Sequence, residues 1–282
     1  MAERSMQPER CPICLEFGTN YYFSLKNNYG SYPIKRCSNC KGQFALINNS
    51  SEIINAQESF FDHDSTDLYN TSDTRKYWKR EVRLIMSLGY KSGNILDIGC
   101  NAGHFLDSCG PDFIKYGIEL ADGPAKIAAA KGIDVKTEPI ENCSFNGLQF
   151  DVITMYALIE HLQEPNKVIE SVTQLLRPGG LFVVMTGDVK SRKAKVLGQN
   201  WHMYIPPLHT HFFSRKSLKM LGAMYGMHEI HHRYSHGGMV FFKNSKILNY
   251  TEKALLWPIL DLPLLRKFPL YDHYYGYFKK LD

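Results

Sequence analysis

One stretch restricts this chain more than any other: Ile95-Leu96-Asp97-Ile98 running into Gly99-Cys100-Asn101-Ala102-Gly103. The apolar run is short enough for a strand, and Ala102, Phe105, Leu106 and Cys109 then recur at helical spacing, so the text predicts strand, tight turn and helix. That order belongs to a parallel sheet with crossover helices, whose strands are covered on both faces. The turn leaves backbone N–H groups free at the helix start, beyond the strand's carboxyl end, where an anionic group is favoured. A dinucleotide's pyrophosphate would require G-x-G-x-x-G. Here Asn101, which tolerates a left-handed backbone, holds the middle position and the bulky His104 holds the third. The loop therefore suits a smaller zwitterion, with Asp97 available to an ammonium and the helix start to a carboxylate.

Downstream the alternation continues. Tyr116-Gly117-Ile118-Glu119 reads as a second strand, ending in a carboxylate placed to accept hydrogen bonds from both hydroxyls of a ribose, with Leu120 beside it. Gly123-Pro124 opens a helix, Gly132 closes it, and Ile133 to Lys136 forms a third strand. An adenine would lie against the following turn, near Glu138, Pro139 and Ile140. Phe150 to Met155 is a fourth strand that opens into Tyr156. A helix from Pro165 buries Val168, Ile169, Val172, Leu175 and Leu176, and Arg177-Pro178-Gly179-Gly180 stops it before a fifth strand, Leu181 to Met185.

Ahead of this core stand two knuckles, Cys11-Pro12-Ile13-Cys14 and Cys37-Ser38-Asn39-Cys40. Paired C-x-x-C at this spacing predicts a closed Zn²⁺ site with Cys11, Cys14, Cys37 and Cys40 as ligands, a structural metal because no coordination position is left for substrate. Tyr21 to Leu25 and Tyr32 to Arg36 read as two strands around Asn27-Asn28-Tyr29-Gly30, the outline of a zinc ribbon. So short a segment draws much of its folding energy from the metal. Whether the ribbon supports the main domain or touches substrate stays open. Residues 1–48 are assigned to the ribbon, 49–90 to a helical connector with Val82, Ile85, Met86 and Gly89 at helical spacing, and 91–282 to the α/β domain. Tyr69, Tyr77 and Trp78 of the connector are read as packing residues, with closure over the ligand as the alternative.

Seven cysteines, of which Cys100, Cys109 and Cys143 are scattered, fit metal binding plus reduced thiols better than a disulfide framework. A polar start from Met1 to Arg10 lacks the apolar core of a secretory signal, and both features predict a cytoplasmic protein. The net charge of +5 is spread without a Lys/Arg block, so composition gives no strong reason to expect a nucleic-acid partner. The richest apolar run, Ala254 to Leu265, is broken by Pro258, Asp261 and Pro263 and is too short to span a membrane.

Taken in order and spacing, ILDIGCNAGHFL, YGIELA, FDVITMYALIEHLQEP and LLRPGGLFVVMT resemble the motifs of the seven-strand (class I) S-adenosylmethionine-dependent methyltransferases. Within that class the chain resembles the ubiquinone-biosynthesis-like branch and the zinc-ribbon-bearing enzymes of sugar and polysaccharide modification. The resemblance implies an α/β, Rossmann-like seven-strand sheet with a small N-terminal zinc ribbon. It implies S-adenosyl-L-methionine held by Asp97, Gly99, Cys100, Asn101, Gly103, Glu119, Leu120, Glu138, Pro139, Met155 and Tyr156. It also implies methyl transfer, chiefly to oxygen, onto a small-molecule or saccharide acceptor. Where some ubiquinone-type members hold a divalent metal with Glu-x-x-Glu-His, this chain has Ala157 at the first position and keeps only Glu160-His161. Alternatives are a zinc-containing ribosomal-RNA guanine methyltransferase and a non-catalytic module that retains the ligand pocket. The former is disfavoured by a second knuckle ending in cysteine and by the absence of Asn-Pro-Pro-Tyr.

Methyl transfer asks the protein to align reactants and, for a hydroxyl acceptor, to remove a proton. Trp201 to His211 resembles the family's W…PPxHxxxF segment, which makes His209 the first candidate for base or substrate contact and His161 the second. Ser214 caps the next helix, with Leu218, Leu221 and Tyr225 on its buried face. Met227 to Tyr234 and Tyr274 to Lys280 are the closing antiparallel strands. The insertion between them, Gly237 to Leu270, carries Leu255, Leu256, Trp257, Ile259 and Leu260 beside Arg266 and Lys267. It is read as a substrate lid or packing, with a dimer face or a membrane-surface patch as alternatives.

Overall fold

The computed structural model describes residues 10–47, 49–61, 72–235 and 271–282. Tyr69 and the 237–270 insertion lie outside the described residues. In the N-terminal part, β1 (Thr19–Asn27) and β2 (Gly30–Cys37) form a hairpin whose register closes at Asn27↔Gly30. Asn27 Oδ1 accepts the amides of Tyr29 and Gly30 at 2.9 and 3.2 Å, so this side chain sets the turn. β3 (Gln43–Ala45) adds to β2, and α1 (Ser50–Phe61) and α2 (Ser72–Ser87) follow. On α2, Val82 and Ile85 are buried as their spacing requires.

The α/β part begins with β4 (Gly93–Ile98), then α3 (His104–Asp107), β5 (Phe113–Ile118), α4 (Asp122–Ala129) and β6 (Asp134–Lys136). It continues with β7 (Phe150–Tyr156), α5 (Pro165–Leu175), β8 (Leu176–Gly187), α6 (Arg192–Leu197) and β9 (His211–Phe212). It ends with α7 (Arg215–Met224), β10 (Met227–Ser235) and β11 (His273–Lys280). Seven strands form one sheet in the order β10-β11-β8-β7-β4-β5-β6, with β11 antiparallel to both neighbours and the others parallel. The order reverses between β4 and β7, and the crevice beyond the carboxyl ends there is where this architecture binds ligands. Leu96 and Ile98 pack on one face with Ile153, Met155 and Phe182; Ile95 packs on the other with Val152, Leu181 and Phe105, the period-two alternation of a sheet buried on both sides.

Three expectations are corrected. The helix after the first turn is a single turn, because Ser108 and Cys109 tighten onto Phe105 and Leu106 ahead of Gly110-Pro111, although Ala102, Phe105, Leu106 and Cys109 are all buried as expected. Leu176 opens β8 instead of closing α5, and the Arg177 to Gly180 run lies inside that strand as an irregularity: Phe150 pairs with Leu176, but Val152 pairs with Leu181. Asp151 anchors it, accepting Arg177 Nε on one oxygen at 2.7 Å and the Asn94 amide on the other at 2.8 Å. Tyr225 is the residue that ends α7 and is only half-buried, while Ser214 does cap that helix in a reciprocal pair with Ser217. Among the described residues no helix is long and apolar enough to cross a membrane.

Candidate active site

Asp97 sits at the end of β4 with 4% of its surface exposed, and Thr154 Oγ1 on β7 donates to its Oδ1 at 2.6 Å. Burial pushes this carboxyl up to about 7, the Thr154 hydrogen bond works against that rise, and the charge of Glu119 adds to it. With Thr154 as its side-chain partner among the described residues, a charged carboxylate here is favoured by any cation brought beside it. Beyond it the turn bends back on itself: the Gly99 and Cys100 amides donate to Ile118 O, Asn101 to Glu119 Oε2, Ala102 to Asn101 Oδ1 and Gly103 to Cys100 O. These amides are therefore committed inside the protein, which corrects the expectation that the turn leaves several free. Asn101 does adopt the left-handed backbone, at φ 48°. Gly103 has φ 73°, and a Cβ there would come within 2.5 Å of Ile133 Cδ1.

Glu119 follows β5 directly and is gripped by two amides, Asn101 N on Oε2 and Ala121 N on Oε1, each at 2.9 Å. Each oxygen keeps a lone pair for a further donor, the arrangement a vicinal diol needs. Leu120, Glu138 and Pro139 are exposed near the ends of β5 and β6 and offer an open flank for a flat ring. The Met155 side chain is fully buried in the core and the Cys100 thiol packs against Gly117, so these two residues can offer a ligand only main chain. Tyr156 packs tilted against Trp78 and edge-on against Phe105, with centroids 5.0 Å apart in each pair, and its hydroxyl reaches Glu81 at 3.4 Å. Tyr77 and Trp78 likewise belong to this aromatic packing.

His161 and His209 are brought together although 48 residues separate them: their rings meet edge to face at 4.5 Å, and both are buried. Each Nδ1 faces a main-chain carbonyl, Leu208 O at 3.0 Å for His161 and Met203 O at 2.8 Å for His209. Donation of Nδ1–H to these carbonyls fixes the tautomer and leaves Nε2 as the basic nitrogen of each ring. Glu160, 2% exposed, joins them, and its Oε2 has no hydrogen-bond partner among the described residues. One ligand atom from each of the three residues lies within 4.8 Å of the others, so the group could share a proton or hold a divalent cation. Burial, then the charge of His161, pulls His209 down to about 3; burial also lowers His161, but the Glu160 carboxylate works against that fall. Of the two rings, only His161 has a carboxylate beside it that opposes the effect of burial.

At the other end, Cys11, Cys14, Cys37 and Cys40 are all buried and converge, with Sγ separations of 3.7 Å for Cys11–Cys40 and for Cys14–Cys37. That spacing is far too long for a disulfide, and it matches the roughly 3.8 Å edge of a tetrahedron with metal–sulfur bonds of about 2.3 Å. The amides of Ile13, Cys40 and Gly42 point at the sulfurs at 3.4 to 3.5 Å, as thiolates require.

A family model described as a methyltransferase domain matches residues 71–232. The chain belongs to that methyltransferase domain family. The ubiquinone biosynthesis O-methyltransferase of Bordetella avium is 30% identical over 131 residues, covering 42% of this chain and 54% of that protein. The protein of the same name from Saccharophagus degradans is 25% identical over 131 residues, covering 43% and 56%. The chain thus spans about half the length of these curated relatives. Among solved structures, the N-methyltransferase NodS of Bradyrhizobium japonicum WM9, crystallised with S-adenosyl-L-homocysteine, superposes with a TM-score of 0.54 at 16% identity, covering 82% of this chain and 99% of that one. Magnesium protoporphyrin IX methyltransferase of Synechocystis PCC 6803 gives 0.57 at 10% identity, covering 82% and 100%. At such identities the likeness is one of fold, and it is the seven-strand fold of class I methyltransferases.

In this methyltransferase domain three features have no signal in the sequence. Thr154 is an ordinary strand residue in the text, and only the sheet register places it beside Asp97. Asp272, wholly buried, accepts Trp201 Nε1 at 2.9 Å and lies 3.4 Å from Lys193 Nζ, with the Nδ1 atoms of His202 and His273 at 3.4 and 3.5 Å. Burial alone would raise this carboxyl, but His273, Lys193 and Trp201 together hold it well below the usual carboxylate range. His211, also buried, is drawn down to about 4 by burial. Because His211 is buried neutral and titrates near 6.5 when unfolded, its contribution is whole above pH 6.5 and drains away as pH falls toward 4. The stability deficit of His211→Asn relative to the parent is therefore expected to shrink by about 2 kcal/mol between pH 8 and pH 5. Urea titrations at the two pH values measure it, and a constant deficit would show that the fold leaves the His211 titration where it is in the unfolded chain.

Proposed function

We propose that the chain transfers the methyl group of S-adenosylmethionine to a hydroxyl oxygen of a small-molecule or saccharide acceptor. The observation that carries this reading is the pairing of a cation-seeking Asp97 at the end of β4 with a diol-seeking Glu119 at the end of β5. In it Asp97 receives the ligand's ammonium, and Glu119 receives the ribose hydroxyls. The main chain of Gly99, Cys100, Asn101 and Gly103 lines the methionine end, Leu120, Glu138 and Pro139 flank the adenine, and Met155 and Tyr156 close the floor. The bound cofactor supplies an electrophilic methyl carbon on a sulfonium leaving group. His161 accepts the acceptor's proton on Nε2, Glu160 stabilises the imidazolium that results, and His209 orients the oxygen. The names of the curated relatives support oxygen as the methylated atom. The four cysteines hold Zn²⁺ as a structural ion, and a cysteine usage of this kind supports a cytoplasmic location.

Calorimetry with S-adenosylmethionine tests the reading at its centre. With its carboxyl near 7, Asp97 is mostly protonated at pH 6 and mostly ionised at pH 7.5, and only the ionised form attracts an ammonium. Affinity should therefore tighten roughly five- to tenfold over that interval. Affinity that is flat would show that the Asp97 carboxyl titrates outside this interval, and affinity that weakens with rising pH would remove Asp97 from the site. Tight binding with no turnover on any hydroxyl, amine or carbon acceptor would mark a binding module instead.

A further inference from the structure

The ribbon and the histidine-bearing loop are one piece of structure. β9 pairs with β3, through Gln43↔Phe212 and Phe44↔His211, and extends the ribbon's own sheet to the four-strand order β1-β2-β3-β9. Ala45 N donates to Thr210 O at 2.9 Å, and the Asn27 side-chain amide donates to Pro206 O. Gln43, 3% exposed, accepts the Tyr204 hydroxyl on Oε1 at 2.6 Å. Leu25 and Ile34 of the hairpin share a core with Trp201, Met203 and Phe212, and Phe23 meets the Tyr204 ring edge-on at 5.3 Å. The carbonyls that orient the two imidazoles, Met203 O and Leu208 O, belong to this same loop. Cys40, one of the four converging thiols, also offers its carbonyl to Ser214 Oγ at 3.1 Å, at the start of the helix that follows the loop.

We propose that the cysteine knuckle is a positioning scaffold for the acceptor side of the site. A ribbon too small to fold on burial alone is held by its metal, its edge strand β3 becomes the template on which residues 203–212 are laid, and Gln43 and Tyr204 act as positioning residues for His161 and His209. The cofactor pocket is built from β4, β5 and β7 instead. Acceptor-side order then depends on a metal that never meets the reacting atoms, whereas cofactor affinity does not. This rests on the readings of the cysteines as a zinc site and of the histidines as the acceptor side.

The test uses the full chain, with zinc content measured before and after treatment with a chelator. Amide exchange across 203–212 should rise tenfold or more on zinc removal, while the Kd for S-adenosylmethionine changes less than twofold. In zinc-loaded protein, Gln43→Ala and Tyr204→Phe should loosen the same segment, and the imidazole NMR signals of His161 and His209 should titrate closer to the ordinary histidine range as solvent reaches rings that burial had lowered. Unchanged exchange after zinc removal overturns the proposal. If chelation unfolds the whole chain, the two zinc-loaded variants decide, and exchange equal to the parent in both overturns it. Protein that loads zinc and shows the exchange response but binds no S-adenosylmethionine supports the scaffold and defeats the methyltransferase reading alone.

Discussion

Asp97→Asn should abolish measurable S-adenosylmethionine binding and yet leave the protein at least as stable as the parent. The two halves have one cause. Asp97 is 4% exposed with Thr154 as its hydrogen-bond donor, and burial drives its carboxyl up to about 7, so in the unliganded fold the ionised form is a cost. Asparagine keeps an oxygen for the Thr154 hydroxyl and removes that cost. With ligand present the balance reverses, because the carboxylate's charge is what attracts the ammonium, and removing one partner of a buried ion pair costs roughly 3 to 5 kcal/mol, more than two decades in Kd. Glu119→Ala should weaken binding too, but with lower stability, since its oxygens hold the amides of Asn101 and Ala121. Calorimetry beside thermal melting separates the cases: Asp97→Asn binding as tightly as the parent would refute the cofactor site, and a large loss of stability would refute the account of its burial.

The second large effect is expected at His161. His161→Gln should lower turnover roughly 10²- to 10⁴-fold, the range of a lost general base, on any hydroxyl acceptor the parent methylates, with S-adenosylmethionine affinity unchanged. Glu160→Gln should lower turnover by less while raising stability, because it removes a buried carboxylate whose Oε2 has no partner among the described residues. His209→Gln should fall between them. If His209→Gln proves the most damaging and His161→Gln is mild, His209 is the base and His161 the residue that orients the oxygen. With the base neutral in its working form, activity is lost as pH falls through the histidine's value in the fold. Burial has lowered that value, so the acid limb should sit below the ordinary histidine range near 6.5.

Much of this was readable from residues. The central strands β4, β7 and β8 each announced themselves by a short apolar run, since a strand covered on both faces has no reason to alternate. The turn from Gly99 to Gly103, the acid at Glu119 and the paired knuckles were legible because each depends on local geometry or on a ligand spacing that few other arrangements require. The errors lie where local pattern is ambiguous. Leu176 is as apolar as the helix before it, so nothing in the text shows that it already belongs to β8. Three of the turn's amides, those of Gly99, Cys100 and Asn101, read as free because their acceptors, Ile118 O and the Glu119 carboxylate, come from the end of β5 and the residue after it.

The sequence by itself determined the class of fold, the turn at the end of β4 and the four converging thiols. These follow from hydrophobic period, turn chemistry and spacing, all properties of neighbours in the chain. Tertiary structure alone decided that Thr154 lies beside Asp97, that Glu160 and His161 meet His209, and that the sheet of the cysteine module is extended by β9, just after His209. Those contacts join residues tens to more than a hundred positions apart, and their energies depend on burial and on sheet register, which exist only once the strands have found their partners.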